Sequence, residues 1–189
     1  MSCLDNYEIV IGLEIHAELN TNTKVFCSCK NEFGNDPNTN TCPVCTGMPG
    51  ALPILNKRAV ELAIKSGLSF GSKINNYSVF ERKNYFYPDL TKSYQISQVT
   101  APLCYDGYVT LSSGKKIGIS DIHLEEDTGK LTHIGDKSYI DYNRGGVPLI
   151  ETVTKPDISN GDEAVEFLEK LRGIYIYGDI AECKLEQGG

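Results

Sequence analysis

The chain has 189 residues, of which 40% are hydrophobic and 23% charged, and its formal net charge is -7. This composition is typical of a folded globular protein with one core or two small ones. The negative charge argues against a large sequence-independent surface for nucleic-acid phosphates. The N-terminus has neither a basic start nor a long apolar run. We therefore expect no signal peptide, transit peptide or membrane span, and a cytoplasmic location.

The first predicted strand, residues 10–19, has the sequence VIGLEIHAEL. Strand alternation places apolar side chains on one face and Glu14, His16 and Glu18 together on the other. A sheet that packs one face on a core usually leaves its reverse face polar, so this second face is either simply solvated or a binding surface. Glu18 has no candidate partner elsewhere in the sequence, and we expect it to lie in solvent.

Four of the seven cysteines lie on one loop, residues 26–46, which is rich in Asn, Asp, Gly and Pro. They form a CxC pair and, twelve residues later, a CxxC pair. Two close thiol pairs on a loop long enough to fold back are typical of a structural zinc site with four thiolate ligands. Free thiols or a disulfide are the alternative, although disulfides are unusual in the cytosol. The candidate zinc ligands are Cys27, Cys29, Cys42 and Cys45.

Two helices are predicted from capping residues and apolar spacing. The first starts after Asn56 as the N-cap and ends near Gly67 or Gly71. The second is capped by Ser159 or Asn160 and runs through DEAVEFLEKLRGIY. The residues predicted to face inward are Val60, Ala63, Ile64, Gly67 and Leu68 in the first helix and Val165, Leu168 and Leu171 in the second.

The remaining regular elements are predicted strands. The aromatic-rich segment SVFERKNYFYPDLTKSYQISQ is expected to be an ordered loop with short extended pieces. YVTLSSGKKIGI predicts a hairpin with its turn at Ser113 and Gly114. A meander follows, with a second turn at Gly135. A one-residue bulge near Ser120 explains why the apolar positions change parity there.

Acidic residues recur in three separate strands. Glu14 and His16 lie in the first strand, Glu125 and Glu126 in HLEED, and Glu151 inside the apolar stretch VPLIETV. An acid in an apolar strand carries a desolvation cost that normally requires a cation, a proton or strong donors. If the three strands are neighbours, their side chains converge as a hard divalent cation requires. The alternative is a solvated HLEED and a Glu151 that pairs with an Arg or Lys.

Nucleotide-binding signals are weak in this sequence. Neither GxxxxGK[ST] nor GxGxxG is present. Arg144, beside two glycines in YNRGGVP, would offer a guanidinium and backbone N–H groups to a phosphate, but such glycine pairs more often mark turns. In ERKNYFYPD, Lys83, Asn84 and Tyr85 fit either a recognition loop or aromatic packing. No arrangement typical of Ser–His–Asp or Cys–His catalysis is visible.

Several long motifs together resemble one known family. IGLEIHAEL, the four-cysteine loop, GMPGALPILNKRAVELAIKSGL, FERKNYFYPDLTKSYQISQ, HLEEDTGKL, DYNRGGVPLIETVT and CKLEQGG are similar, in order, to the B subunits (GatB) of tRNA-dependent amidotransferases. The resemblance implies an α+β fold, the family's cradle domain, made mostly of antiparallel sheet with a few helices. It also implies ATP- and Mg2+-dependent phosphorylation of the side-chain carboxylate of Glu-tRNA(Gln) or Asp-tRNA(Asn), followed by amidation with ammonia.

The resemblance also implies partners and site residues. The partners are a GatA-like amidase that supplies ammonia, a GatC-like tether and the mischarged tRNA. The four cysteines correspond to a zinc site found in some family members. The positions that correspond to magnesium ligands are Glu14, His16, Glu125, Glu126 and Glu151. The positions assigned to ATP or the tRNA 3′ end are Lys83, Asn84, Tyr85, Arg144 and Lys184.

Family members continue beyond the position of Gly189 with the rest of the cradle and with helical and tail domains that hold the tRNA. We therefore expect residues 1–189 to be the N-terminal part of the cradle, to lack those tRNA-binding domains and to be inactive alone. The alternative function is a non-catalytic, zinc-stabilised module that binds protein or RNA.

Overall fold

The computed structural model describes residues 7–184 and consists mainly of antiparallel sheet. Its largest sheet contains β1 (Glu14–Glu18), β2 (Lys73–Ile74), β5 (Cys104–Thr110), β6 (Lys116–Glu126) and β9 (Pro148–Thr154). The strands lie in the order β1-β9-β6-β5-β2, and every neighbouring pair is antiparallel. The last strand of the described residues, β9, therefore lies between the first strand and the central one.

Two hairpins form separate two-stranded sheets. The first is β3 (Glu81–Asn84) with β4 (Tyr94–Ser97), which are the short extended pieces predicted in the aromatic-rich segment. The second is β7 (Lys130–Ile134) with β8 (Lys137–Asp141), which turns at Gly135. The predicted turn at Gly114 and the bulge near Ser120 are also confirmed, since the β6–β9 register shifts between Ile119 and Asp121.

The two helices begin where their caps predict. Asn56 caps α1 (Lys57–Ser69) by accepting a hydrogen bond from the Arg58 N–H, and Asn160 caps α2 (Gly161–Tyr177) by accepting one from the Glu163 N–H. No helix in the described part of the chain is long and apolar enough to cross a membrane.

The predicted inward faces of both helices were partly wrong. In α1, Ala63 and Gly67 are buried and Val60 and Ile64 pack partly buried against the core, as predicted, but Leu68 is exposed. In α2, Leu171 is buried, whereas Val165 and Leu168 are exposed. In both helices, the buried face is rotated about the helix axis relative to the predicted apolar face. The reason is that the packing partner selects which face is buried, and apolar spacing alone does not. The residues buried instead are Ala59, Leu62 and Ser66 in α1 and Phe167 and Tyr175 in α2.

The five-stranded sheet has one apolar face and one polar face at its β1-β9-β6 side. Ala17, Ile150 and Leu124 follow one another across these strands and belong to the hydrophobic core, which also receives both helices. Because successive side chains alternate between the faces of a sheet, residues one position away in each strand point to the opposite face. That opposite face carries the acids and histidines described below.

Gly67 sets how closely α1 approaches the sheet. A Cβ atom added there would lie 2.5 Å from the Cys104 sulfur. We expect Gly67→Ala to lower the free energy of unfolding by about 1–3 kcal/mol, because overpacking outweighs the better helix propensity of alanine. Gly173→Ala in α2 is the matched control, since a Cβ there meets no atom within 4 Å. Denaturant unfolding should show that the control raises the free energy of unfolding by up to about 1 kcal/mol. Equal effects of the two substitutions would contradict the close packing of Gly67 on the sheet.

Candidate functional site

Three strands align an acid and two histidines in one row of the sheet. In the register of β1, β9 and β6, His16 lies opposite Glu151, and Glu151 lies opposite His123. Glu125 is two residues beyond His123 on the same face of β6. Directly opposite side chains in an antiparallel pair are about 5 Å apart, so this register brings distant parts of the sequence into contact.

His16, Glu125 and Glu151 form what we call the carboxylate–histidine cluster. His16 Nε2 lies 2.8 Å from Glu125 Oε1 and 3.5 Å from Glu151 Oε2. One potential ligand atom from each of the three residues lies within 4.8 Å of the others. Adjacent ligands around an octahedral ion at about 2.1 Å are about 3 Å apart, and the two distances from His16 Nε2 are close to this value, so the spacing is compatible with a divalent cation.

The electrostatics of the cluster follow from two buried carboxylates beside two imidazoles. The hydrogen bonds from His16 to Glu125 and Glu151 raise the pKa of His16 to about 10. Those from His123 and His16 hold the pKa of Glu151 well below its usual range. The side chains of Glu125 and Glu151 are only 3% and 11% exposed, whereas that of His16 is 47% exposed. A cation would therefore replace the His16 proton from the open side of the cluster.

His123 was not among the predicted ligands, yet it orders the cluster. Its Nε2 lies 3.1 Å from Glu151 Oε2, and its Nδ1 lies 2.8 Å from Asp121 Oδ1. Burial lowers the pKa of His123, but its bonds to Asp121 and Glu151 outweigh this effect and raise the pKa to about 9. The Asp121–His123–Glu151 chain resembles the outer-sphere partners that orient metal-ligating carboxylates. The sequence signal was the alternation of Asp121, His123 and Glu125 along one strand.

Two predicted metal ligands lie outside the cluster. Glu14 is on the same face as His16 but one row away, opposite Val153, and it is exposed. Glu126 points to the other face of β6. Its carboxylate pairs with Lys92 at 2.6 Å and accepts the Ile96 N–H at 2.9 Å. The structure therefore does not bring Glu14 or Glu126 together with the other three side chains.

The four predicted zinc ligands meet on the cysteine loop, residues 26–46. Their sulfur atoms all lie within 4.8 Å of one another, and the Cys42 and Cys45 sulfurs are 3.9 Å apart. Tetrahedral zinc with Zn–S bonds of about 2.3 Å requires sulfurs about 3.8 Å apart, so the four thiols fit a zinc ion. Hydrogen bonds from Cys27 and from the Cys42 N–H lower the pKa of Cys45 to about 4.

Two of the predicted ATP or tRNA residues share a cleft of about 610 Å³ beside β1. Arg144 lines this cleft, but its Nε pairs with Asp127 at 3.2 Å and its guanidinium also donates to the carbonyls of Thr128 and Gly129. Lys184 lines the same cleft and pairs with Glu182. Much of the Arg144 hydrogen-bonding capacity is thus used within the protein.

The other three predicted ATP or tRNA residues lie at the β3–β4 hairpin. Lys83 and Asn84 are exposed on β3, and Tyr85 follows it directly. Burial and the charges of Asp89 and Glu125 raise the pKa of Tyr85. The structure therefore does not gather all five predicted residues into one cleft.

Comparison with known proteins identifies the family. The model of the GatB/GatE catalytic domain matches residues 9–189. This chain belongs to the GatB/GatE catalytic domain family. Similar curated proteins include the B subunits of the aspartyl/glutamyl-tRNA(Asn/Gln) amidotransferases of Caldicellulosiruptor bescii and Caldanaerobacter subterraneus, at 56% and 55% identity over 96% of this chain. That of Clostridium botulinum is 54% identical over 97%. The chain spans 39% of the length of each of these relatives.

In this GatB/GatE catalytic domain, the prediction that Glu18 lies in solvent is wrong. Glu18 lines the cleft beside Arg144, and its Oε1 is buried without a hydrogen-bond partner in the described residues. Burial, together with the charge of Asp127, raises the pKa of Glu18 to about 7. The sequence offered no signal for this, because the burial comes from segments distant in the chain.

The raised pKa of Glu18 makes the stability of the domain pH-dependent. Because the folded state holds this proton more tightly than the unfolded chain, the folded state is favoured at low pH and loses that advantage as pH rises from about 4.5 to about 7. We expect Glu18→Gln to raise the free energy of unfolding at pH 8, but not at pH 4, by on the order of 1 kcal/mol after solvent screening. Urea unfolding at both pH values measures this, with the exposed Glu8→Gln as control. A stabilisation equal at both pH values would contradict it.

Proposed function

We propose that residues 1–189 are the N-terminal part of the cradle domain of the GatB component of a tRNA-dependent amidotransferase, an ATP-dependent carbon–nitrogen ligase. The family match and the names of the relatives support this assignment. The observation that carries the proposed chemistry is the convergence of His16, Glu125 and Glu151 within 4.8 Å. The two carboxylates suit Mg2+ or Mn2+, which prefer oxygen ligands.

The proposed reaction activates a carboxylate that ammonia cannot attack directly. The side-chain carboxylate of Glu-tRNA(Gln) or Asp-tRNA(Asn) takes the γ-phosphoryl group of ATP, and ADP leaves. Ammonia then attacks the acyl carbon, phosphate departs and the amide remains, with loss of a proton from the nitrogen. Mg2+ would offset the negative charge on the transferring phosphoryl group.

The side chains of the cluster would hold and orient the ion. Glu125 and Glu151 would supply oxygens, and His16 would supply Nε2 in its neutral form. His123 holds Oε2 of Glu151, which limits the rotation of that carboxylate. The resemblance also implies Glu14 and Glu126 as metal-binding positions, but Glu14 lies one row from the cluster and Glu126 faces the other side of β6. The residues proposed to contact ATP or the tRNA 3′ end are Lys83, Asn84, Tyr85, Arg144 and Lys184.

We also propose a structural role for the cysteine loop. Four thiolates leave zinc no open position for a substrate, so zinc bound there would stabilise the loop without reacting.

Three partners belong to the proposed function. A GatA-like amidase would supply ammonia, a GatC-like protein would tether the assembly, and the tRNA would bring the carboxylate. These partners would contact parts of the full-length protein beyond this chain as well.

Reconstitution tests the proposal. The full-length protein, assembled with its amidase and tether, is mixed with ATP, Mg2+ and Glu-tRNA(Gln) or Asp-tRNA(Asn), and ADP and amidated tRNA are measured. Supplying ammonium chloride in place of glutamine separates this chemistry from that of the amidase. We expect ADP formation that requires both a divalent cation and the mischarged tRNA. An assembly that binds tRNA and zinc but forms no ADP would favour the non-catalytic binding module instead.

A further inference from the structure

Lys24 is a charged side chain that the proposed function does not use. It lies three residues before Cys27 and is completely buried. Its backbone N–H donates to the Cys29 carbonyl at 2.9 Å, which places it at the base of the cysteine loop. Burying an ammonium group costs several kcal/mol unless an opposite charge and hydrogen-bond acceptors surround it. Lys24 therefore requires an anion.

No carboxylate supplies that anion. Within residues 7–184, Lys24 forms no ion pair with an Asp or Glu. Glu126 lines the same small cavity, but it pairs with Lys92. The Lys24 Nζ instead lies 3.2 Å from the Tyr142 carbonyl and 3.6 Å from the Cys45 sulfur, which is itself buried. The cysteine sulfur is thus the remaining candidate for the opposite charge.

We propose that Lys24 is the counter-charge of a four-thiolate zinc centre and donates an N–H···S hydrogen bond to Cys45. The inference rests on zinc occupying the cysteine loop. Four thiolates and Zn2+ together carry a charge of -2, and the ammonium group reduces this to -1 within the buried region. The bond also withdraws charge from one sulfur, as outer-sphere donors do at other metal sites.

The other Lys24 contact connects the zinc centre to the polar face of the sheet. Tyr142 begins the segment that leads into β9, and in this segment Gly146 accepts the Val25 N–H at 2.9 Å. The Gly146 N–H donates to the Asp127 carbonyl at 2.8 Å, and Asp127 is two residues from Glu125. The same lysine therefore touches both the cysteine loop and the segment whose backbone bonds to Asp127, two residues from Glu125.

Lys24→Met tests the role because methionine keeps most of the volume and removes the charge. The full-length protein is loaded with zinc, and its affinity is measured by competition with a chromophoric chelator. We expect a 10- to 100-fold loss of zinc affinity, the range typical for an outer-sphere partner. Lys30→Met is the matched control, since Lys30 is an exposed lysine of the same loop. It should change the affinity less than about twofold, because exposed ion pairs contribute little.

Cobalt substitution separates a bond to sulfur from a general loss of structure. In Lys24→Met, the sulfur-to-cobalt charge-transfer band should shift while the d–d bands stay tetrahedral. If Lys24→Met keeps the wild-type zinc affinity and shows no shift of this band, the role of Lys24 is overturned and the zinc site itself is not. A wild-type protein that binds no zinc would instead overturn the zinc site on which the inference rests.

A second pair of variants applies if Lys24→Met does not fold. Cys45→Asp and Cys45→Ser both remove the thiolate, but only Asp keeps an anion beside Lys24. Without metal, Cys45→Asp should melt several degrees above Cys45→Ser. An equal or reversed order would show that Lys24 does not need an anion at this position.

Discussion

Replacing Glu151 by Gln is expected to weaken divalent-cation binding by at least about 100-fold, because loss of a direct ligand should exceed the 10- to 100-fold cost of losing an outer-sphere partner. The substitution preserves the shape of the side chain and its place between β1 and β6, but removes the charge that His16 and His123 both contact. ADP formation by the assembled full-length protein should fall as divalent-cation binding weakens. Mn2+ titration followed by electron paramagnetic resonance measures the binding directly.

Two further variants sharpen this prediction. Glu169→Gln, on the exposed side of α2, makes the same chemical change away from the cluster and should leave Mn2+ binding unaltered. Glu14→Gln tests whether Glu14, a ligand position implied by the family, contributes to cation binding although it lies outside the observed cluster. Because Glu14 lies one row from the cluster, its loss should weaken binding much less than that of Glu151. Mn2+ binding that survives Glu151→Gln unchanged would remove the proposed site.

Loss of a zinc ligand is expected to produce the largest change in stability. Cys42→Ser should abolish zinc binding and lower the free energy of unfolding of the zinc-loaded protein by roughly 4 kcal/mol, less than the 10 kcal/mol or more of isolated zinc-finger peptides, because the surrounding sheet remains folded. A bound zinc ion would stabilise the cysteine loop strongly, because long stretches of the loop have no regular secondary structure. Elemental analysis and thermal unfolding report the two effects separately.

Cys183→Ser is the matched control, because Cys183 is a half-buried thiol outside the four-cysteine group. It should retain one zinc per chain. A strong chelator should lower the melting temperature of wild-type protein and of Cys183→Ser, but not that of Cys42→Ser. Retention of one tightly bound zinc in Cys42→Ser would contradict four-cysteine ligation.

Local features of the fold could be predicted from the sequence. Asn56 and Asn160 cap their helices through hydrogen bonds to the N–H groups of the first turn. Gly114 and Gly135 supply the positive φ angles of two hairpin turns. Such interactions span only a few residues, so the sequence specifies them without knowledge of the rest of the chain. The cysteine group could be predicted for the same reason, because both thiol pairs lie within twenty residues.

The membership of the carboxylate–histidine cluster was decided by the tertiary structure. Glu125 and Glu126 are adjacent in the sequence, yet only Glu125 faces His16, because neighbouring residues of a strand point to opposite faces. Which face is which depends on the bulge at residues 119–121 and on the position of β9 between β1 and β6. Strand order is a property of the packed whole and is absent from any local pattern.

Burial was likewise decided only by tertiary packing. Glu18 was predicted to lie in solvent because no partner was visible in the sequence, but its carboxylate oxygen Oε1 is buried. Lys24, which no sequence pattern predicted to be buried or exposed, is completely buried. The sequence by itself determined the caps, the turns, the cysteine spacing and the family. The tertiary structure decided which carboxylates meet and which charges are buried, because both depend on contacts between residues more than a hundred positions apart.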